Sequence, residues 1–273
     1  MTIQEALQLA ARQGIARLDA HLLLAHLLQR PREWLIAHDT DALPADLAPQ
    51  YLALVQQRAD AVPLAYLTGQ KEFHGLELNV SRATLVPRPD TETLVDWALE
   101  LLPTEAPHTV LDLGTGSGCI ALALKAARPQ AQVSAVDRST AALAQARANG
   151  ERLGLAVTWH EGSWFAPLAG QRFDLIVSNP PYIPADDPHL AALRHEPISA
   201  LAAGVDGLDD LRRICAQAPQ HLNPGGWLLL EHGFDQANAV ADLLRQAGFA
   251  PAQHRLDLAG HRRCTGARKS LDT

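Results

Sequence analysis

Leu111-Asp112-Leu113-Gly114-Thr115-Gly116-Ser117-Gly118 is the stretch on which the fold reading turns. The apolar run HTVLDL enters it, and CIALALKAARP leaves it with helical spacing. Glycines between a strand and a helix allow positive φ and let a ligand approach the backbone closely. Reading outward, QVSAVD, AVTWHEG, FDLIVSN and GWLLLEHG have strand character. They alternate with helical STAALAQARANGERLG, DGLDDLRRICAQAPQHL and DQANAVADLLRQAG. Such alternation predicts an α/β chain with a doubly wound, mostly parallel sheet. Two closing strands follow closely enough to pair antiparallel at its edge.

Upstream the character differs. Residues 1–68 read as a small bundle of short helices. Ile3, Ala6, Leu7 and Ala10 keep helical spacing, with Gly14 as a stop. Asp19 is placed to cap a second helix, and Pro31 to open a third with Trp34 and Leu35 inward. A fourth is expected from Ala45 to Asp60. The bundle carries no chemical motif, so it reads equally as a stabilising cap or a docking surface. Residues 69–90 read as a hairpin linker with EFHGLELNV and ATLVPRP as its strands. A helix begins at Thr91, and the catalytic domain is expected over 91–273.

The bulk numbers exclude several classes. Formal net charge is −7, and Arg212-Arg213 and Arg262-Arg263 are isolated pairs. A phosphate grip on nucleic acid wants a basic stripe, so none is expected here. Cys119, Cys215 and Cys264 are dispersed, against a disulfide framework or zinc ribbon. The twelve histidines include no HExxH, and His195-Glu196 reads as loop polarity, so no metal is expected. The N-terminus lacks a signal-peptide pattern and no run suits a membrane span. A cytoplasmic monomer is the expectation.

Asp137 ends the strand after the glycines, about 20 residues on, where a carboxylate accepts from the hydroxyls of a ribose. That fits NAD and S-adenosylmethionine alike. Asp112, just before the turn, would repel a pyrophosphate but not a cationic amine or sulfonium. With GTGSG in place of GxGxxG, it favours S-adenosylmethionine, leaving S-adenosylhomocysteine. Trp164 follows the third strand and reads either as an adenine wall or as a core aromatic.

FDLIVS ends at Asn179-Pro180-Pro181-Tyr182. In an open α/β sheet that position faces the ligand crevice. Two prolines stiffen the loop and leave acceptors: the Asn179 side-chain oxygen and the Pro180 carbonyl. A planar nitrogen has a delocalised lone pair and is a poor nucleophile. Two acceptors can hold its N–H bonds, turn the lone pair toward a methyl group and stabilise the charge that develops. Fixing both reactants in line supplies on the order of 7 kcal/mol. Tyr182 would stack on the planar group or wall the pocket. The tetrapeptide therefore points to N-methylation.

Along nearly its full length the chain resembles the bacterial HemK-type (PrmC) release-factor glutamine methyltransferases. The stretches that carry the likeness are AYLTGQKEFHGLELNV, LVPRPDTETLVDWAL, VLDLGTGSGCIALALK, FDLIVSNPPYI and LNPGGWLLLEHG. The resemblance implies a Rossmann-like class I methyltransferase fold. It also implies methylation of the N5 amide of the glutamine in the GGQ loop of peptide-chain release factors 1 and 2, which the N-terminal domain engages. By position, Gly114, Thr115, Gly116, Ser117, Gly118 and Asp137 would hold the cofactor, with Trp164 beside the adenine. Asn179, Pro180, Pro181 and Tyr182 would hold the glutamine, and Phe73 would wall its pocket. Thr91 and Glu92 would come to the site mouth. The chain departs from the family pattern at Ser163, commonly Asp. It departs again at Ala191-Ala192-Leu193-Arg194-His195-Glu196-Pro197, where a GDVR-like stretch is usual. Rivals are a ribosomal-protein glutamine methyltransferase, whose segment at PRPDTE differs, and a nucleic-acid exocyclic-amine methyltransferase, which would have to flip a base and grip phosphates. A non-catalytic scaffold is disfavoured by the intact Asn179 and glycine turn.

Overall fold

The computed structural model describes residues 1–104 and 106–270. They form two units, Met1–Gln70 and Lys71–Thr273.

In the first unit, α1 (Ile3–Arg12) starts with a capping box. The Thr2 hydroxyl accepts from the Glu5 amide, and Glu5 accepts from the Thr2 amide at 2.7 Å. Gly14, at φ +78°, follows its end. In α2 (Arg17–Leu28), Asp19 is not the cap. It lies in the first turn, where its carboxylate takes Arg58 Nε at 2.7 Å, because a guanidinium is a stronger partner than a backbone amide. Short α3 (Arg32–Ala37) follows Pro31 and buries Leu35, while Trp34 is half-buried and stacks on His38. Next come α4 (Leu47–Ala59) and α5 (Leu64–Thr68). Ile3, Leu23, Leu24, Leu35, Tyr51 and Val55 are buried together in the core.

The hairpin closes earlier than its sequence suggests. Its strands β1 (Gln70–Phe73) and β2 (Leu76–Asn79) both fall within QKEFHGLELN. His74 and Gly75 take φ +49° and +77°, the two positive values of a tight two-residue turn. ATLVPRP is not a strand. Pro87 and Pro89 cannot donate to a ladder, and the segment runs irregularly instead. Then come α6 (Glu92–Leu101), β3 (Thr109–Leu113), α7 (Cys119–Ala127), β4 (Gln132–Asp137), α8 (Thr140–Leu153), β5 (Thr158–Glu161) and β6 (Phe173–Ser178). After a long loop follow α9 (Asp209–His221), β7 (Leu222–Glu231), α10 (Ala237–Gln246), β8 (Gln253–Leu256) and β9 (Arg262–Arg268).

The strands order β5-β4-β3-β6-β7-β9-β8. The first five are parallel, and β9 pairs antiparallel with both β7 and β8. The winding reverses between β3 and β6, so their carboxyl ends open the crevice of the sheet. Apolar helices cover both faces. Val95, Trp97, Leu122 and Leu124 pack on one, and Leu211, Ile214, Val240 and Leu244 on the other. Gly266 in β9 marks how tight this packing is. A Cβ there would lie 2.8 Å from both the Leu228 carbonyl and the Trp97 ring. Gly266→Ala is expected to lose about 2 kcal/mol of stability, read from a lowered denaturant midpoint at unchanged slope.

Candidate active site

The glycine turn sits where β3 ends. Gly114, Gly116 and Gly118 have φ of +73°, +56° and +84°. The Gly114 and Thr115 amides donate to the Val136 carbonyl at 2.8 and 3.0 Å, stitching the turn to β4. Asp137 then accepts from the Gly116 amide at 2.9 Å and from the Ser139 amide at 2.8 Å. Its carboxylate is thereby fixed, with lone pairs left for a ligand. Above the turn lies a cavity of about 330 Å³, walled by Gly114, Gly116, Asp137, Trp164, Asn179 and Thr91 among others.

Trp164 holds φ +50°, unusual for a bulky residue. Its ring closes on Gly114, where a Cβ would come within 3.4 Å of it. A Cβ at Gly116 would meet nothing within 4 Å, so the space over that backbone is open. An open glycine backbone, a pinned carboxylate and an indole wall suit a nucleoside.

Across the cavity, β6 delivers Asn179. Its Nδ2 donates to Thr91 Oγ1 at 3.1 Å, leaving Oδ1 to accept. Ser178, fully buried, ties the strand end to the Leu113 carbonyl at 2.7 Å. The Tyr182 carbonyl accepts from Gln236 at 3.0 Å, and the Tyr182 hydroxyl reaches Glu231 at 3.3 Å. The long loop after the tetrapeptide is latched down. Glu196, buried, accepts from the Val86 amide at 3.1 Å and pairs with Arg88. This puts Pro197, Ser199 and Ala200 on the cavity wall.

A release factor glutamine methyltransferase of Xylella fastidiosa is 52% identical over 266 residues, 96% of this chain and 97% of that protein. The chain belongs to the release factor glutamine methyltransferase family. The Bordetella pertussis relative of that description is 48% identical, across 94% of this chain and 97% of its own. Residues 91–196 match the methyltransferase small domain, and residues 3–69 the PrmC N-terminal domain. A solved methyltransferase from Pyrococcus furiosus shares the fold at TM-score 0.57 and 19% identity, over 81% of this chain and 98% of that one.

In this methyltransferase the sequence motifs meet only partly on the cavity. Gly114, Thr115, Gly116, Ser117, Asp137, Trp164, Asn179 and Pro181 line it. Gly118 instead opens α7 against Leu122, Ala146 and Trp159, where a Cβ would come within 3.1–3.2 Å. Pro180, which is buried, and Tyr182, which is half-buried, flank Asn179 and Pro181 without themselves lining the cavity. Phe73 is 1% exposed and belongs to the core under the hairpin with Leu78, Leu94 and Trp97. Ser163 lies on the wall beside Trp164. Residues 83–89, read from sequence as a strand, supply Leu85 and Pro87 to the wall. Their prolines were the signal for a loop.

Asp112 is fully buried and is a brace, not a wall. It accepts from Thr115 Oγ1 at 2.6 Å and from the Ala121 amide at 3.2 Å. Burial pushes its carboxyl up to about 7, against the pull of those two hydrogen bonds. The folded chain therefore holds a proton that the unfolded chain has released. Stability from this group is full below about pH 4 and is lost as pH rises through about 7. Asp112→Asn is expected to flatten the fall in melting temperature between pH 4 and 7, measured without ligand.

Among the described residues, no cluster of three or more His, Cys, Asp or Glu could hold a metal, and no helix is long and apolar enough to cross a membrane.

Proposed function

We propose that this methyltransferase moves the methyl group of S-adenosylmethionine to the side-chain amide nitrogen of a glutamine in a peptide-chain release factor. The glutamine is that of the GGQ loop in factors 1 and 2. The observation that carries this reading is Asn179, on the cavity wall at the crevice of a methyltransferase sheet with Nδ2 tied to Thr91 so that Oδ1 is left to accept, in a chain 52% identical to a release factor glutamine methyltransferase.

The cofactor fits the cradle. Gly114 and Gly116 give backbone access, Asp137 takes the ribose hydroxyls, and Trp164 covers the adenine. When bound, S-adenosylmethionine supplies a methyl carbon whose bonding pair returns to sulfur. Asn179 Oδ1 and the Pro180 carbonyl accept the two N–H bonds of the glutamine amide and localise its lone pair. The same acceptors stabilise the cation that develops on nitrogen. Its proton becomes acidic and leaves to water, so no strong base is required. Tyr182, braced by Glu231 and Gln236, stiffens the tetrapeptide from behind. The Met1–Gln70 unit serves to dock the protein substrate, no metal takes part, and the enzyme acts as a monomer with no nucleic-acid partner.

The test is incubation with methyl-labelled S-adenosylmethionine and either a release factor or bulk nucleic acid. Label on the GGQ glutamine by mass spectrometry is expected. Label on nucleic acid, or none on the factor, would overturn the reading.

A further inference from the structure

Asn179 can work only if its amide faces the right way. A carboxamide carries an acceptor and a donor of nearly equal size, and flipping it would present N–H to N–H. What holds its polarity is a neighbour that must accept. Thr91 Oγ1, 2% exposed, takes Asn179 Nδ2 at 3.1 Å. A hydroxyl is indifferent, however: it can donate or accept. Thr91 stays an acceptor toward Asn179 only if its own proton is drawn elsewhere.

The group beside it that can draw that proton is Glu231, at the end of β7. Its side chain is buried at 1% exposure, so it is not a solvated surface acid. Oε1 takes the Tyr182 hydroxyl at 3.3 Å. Oε2 is buried with no partner in full hydrogen-bonding geometry among the described residues, and the Thr91 hydroxyl stands next to this carboxyl. A buried carboxylate oxygen without a donor is costly, which favours turning the Thr91 proton onto it.

We propose that Thr91 and Glu231 form a positioning relay, in which Glu231 draws the Thr91 proton so that Thr91 fixes the Asn179 amide with Oδ1 toward the substrate nitrogen. The relay rests on the proposed glutamine transfer and deepens it. Both residues act through Asn179 and are positioning residues. The same carboxyl holds the Tyr182 hydroxyl, so one buried group braces two members of the tetrapeptide.

The relay depends on charge. Only an ionised Glu231 is purely an acceptor; once protonated it can donate to Thr91, and the chain of polarity reverses. Five groups face it. Arg263 on β9 favours ionisation and is itself held by Asp257 at 3.1 Å and Asp90 at 3.4 Å. Asp90 disfavours it, and Tyr182, Cys264 and Cys119 are neutral neighbours whose own ionisation burial suppresses. Burial pushes Glu231 up to about 7, so the relay is set as pH rises through the neutral range.

The experiment measures turnover of methyl-labelled S-adenosylmethionine on a release factor by the full chain, from pH 5.5 to 9. Thr91→Val keeps shape but loses the hydroxyl. It is expected to lower kcat about 100-fold, with cofactor Kd within about twofold. Melting should stay within about 4 °C of wild type. Thr91→Ser is expected to recover to within about threefold. Glu231→Gln is expected to lose the acidic limb of the wild-type kcat profile while Kd holds. Wild-type kcat in Thr91→Val, no rescue by serine, or an unchanged acidic limb in Glu231→Gln would each overturn the relay and leave the proposed function standing. Failure of the wild type to label the factor would overturn both.

Discussion

Asn179→Ala is expected to slow transfer about a thousandfold at saturating substrates, equivalent to about 4 kcal/mol of transition-state stabilisation. Cofactor affinity should stay within about twofold. The size follows from what is lost. In the proposed transfer Asn179 Oδ1 is one of two acceptors for charge that appears only as the methyl group moves, so its removal would fall on the transition state and not on the ground state. The truncation leaves Thr91 Oγ1 without its donor, but the cradle for the nucleoside is intact: Asp137 keeps the Gly116 and Ser139 amides. Among the described residues the Asn179 side chain makes no other hydrogen bond, whereas the strand end is secured by Ser178 to Leu113. Single-turnover rates give the first quantity and calorimetry the second. If affinity falls as far as turnover, the division between cradle and tetrapeptide is wrong.

The parts of this site that were legible in the sequence are those whose physics is local. Gly114 to Gly118 announce a turn because only glycine tolerates three such φ values cheaply, and Pro180-Pro181 announce a rigid strand end. The helices that separate most of β3 through β7 make the sheet legible too, since a parallel pair needs a crossover connection. What was illegible depends on partners far along the chain. Asp19 looks like a helix cap until Arg58, thirty-nine residues away, claims it. Thr91 and Asn179 are 88 residues apart, and Tyr182 and Glu231 are 49 apart, so no spacing links them. ATLVPRP shows the opposite failure. It reads as the second strand of a hairpin, but Pro87 and Pro89 leave the segment without a ladder, and it lies against the cavity instead. Asp112 reads from sequence as a charge near a ligand; in the fold its Oδ2 accepts from both Thr115 and Ala121 and shapes the turn.

Asp137→Asn should produce the converse of Asn179→Ala: cofactor affinity weaker by about 100-fold, or about 2.7 kcal/mol, with kcat at cofactor saturation within about threefold. Both carboxylate oxygens already accept a backbone amide, Oδ2 from Gly116 and Oδ1 from Ser139. An asparagine offers one oxygen and one NH₂, so in either orientation a donor is set against a donor. The side chain must rotate away or the Gly116 backbone must shift, and either movement disturbs the surface on which a ribose would lie. The remaining carboxylate lone pairs, free to take two hydroxyls, are lost with the charge. The tetrapeptide is anchored by other bonds, to Thr91, Leu113, Glu231 and Gln236, so a bound cofactor should still meet a correctly held amide. Calorimetric titration with S-adenosylmethionine measures the affinity, and turnover at saturating cofactor measures the rate. Affinity kept near wild type would remove Asp137 from the ribose site. A kcat that collapsed even at saturation would mean that Asp137 also sets the approach of the methyl group, because a cradle that only binds cannot alter a rate once it is full.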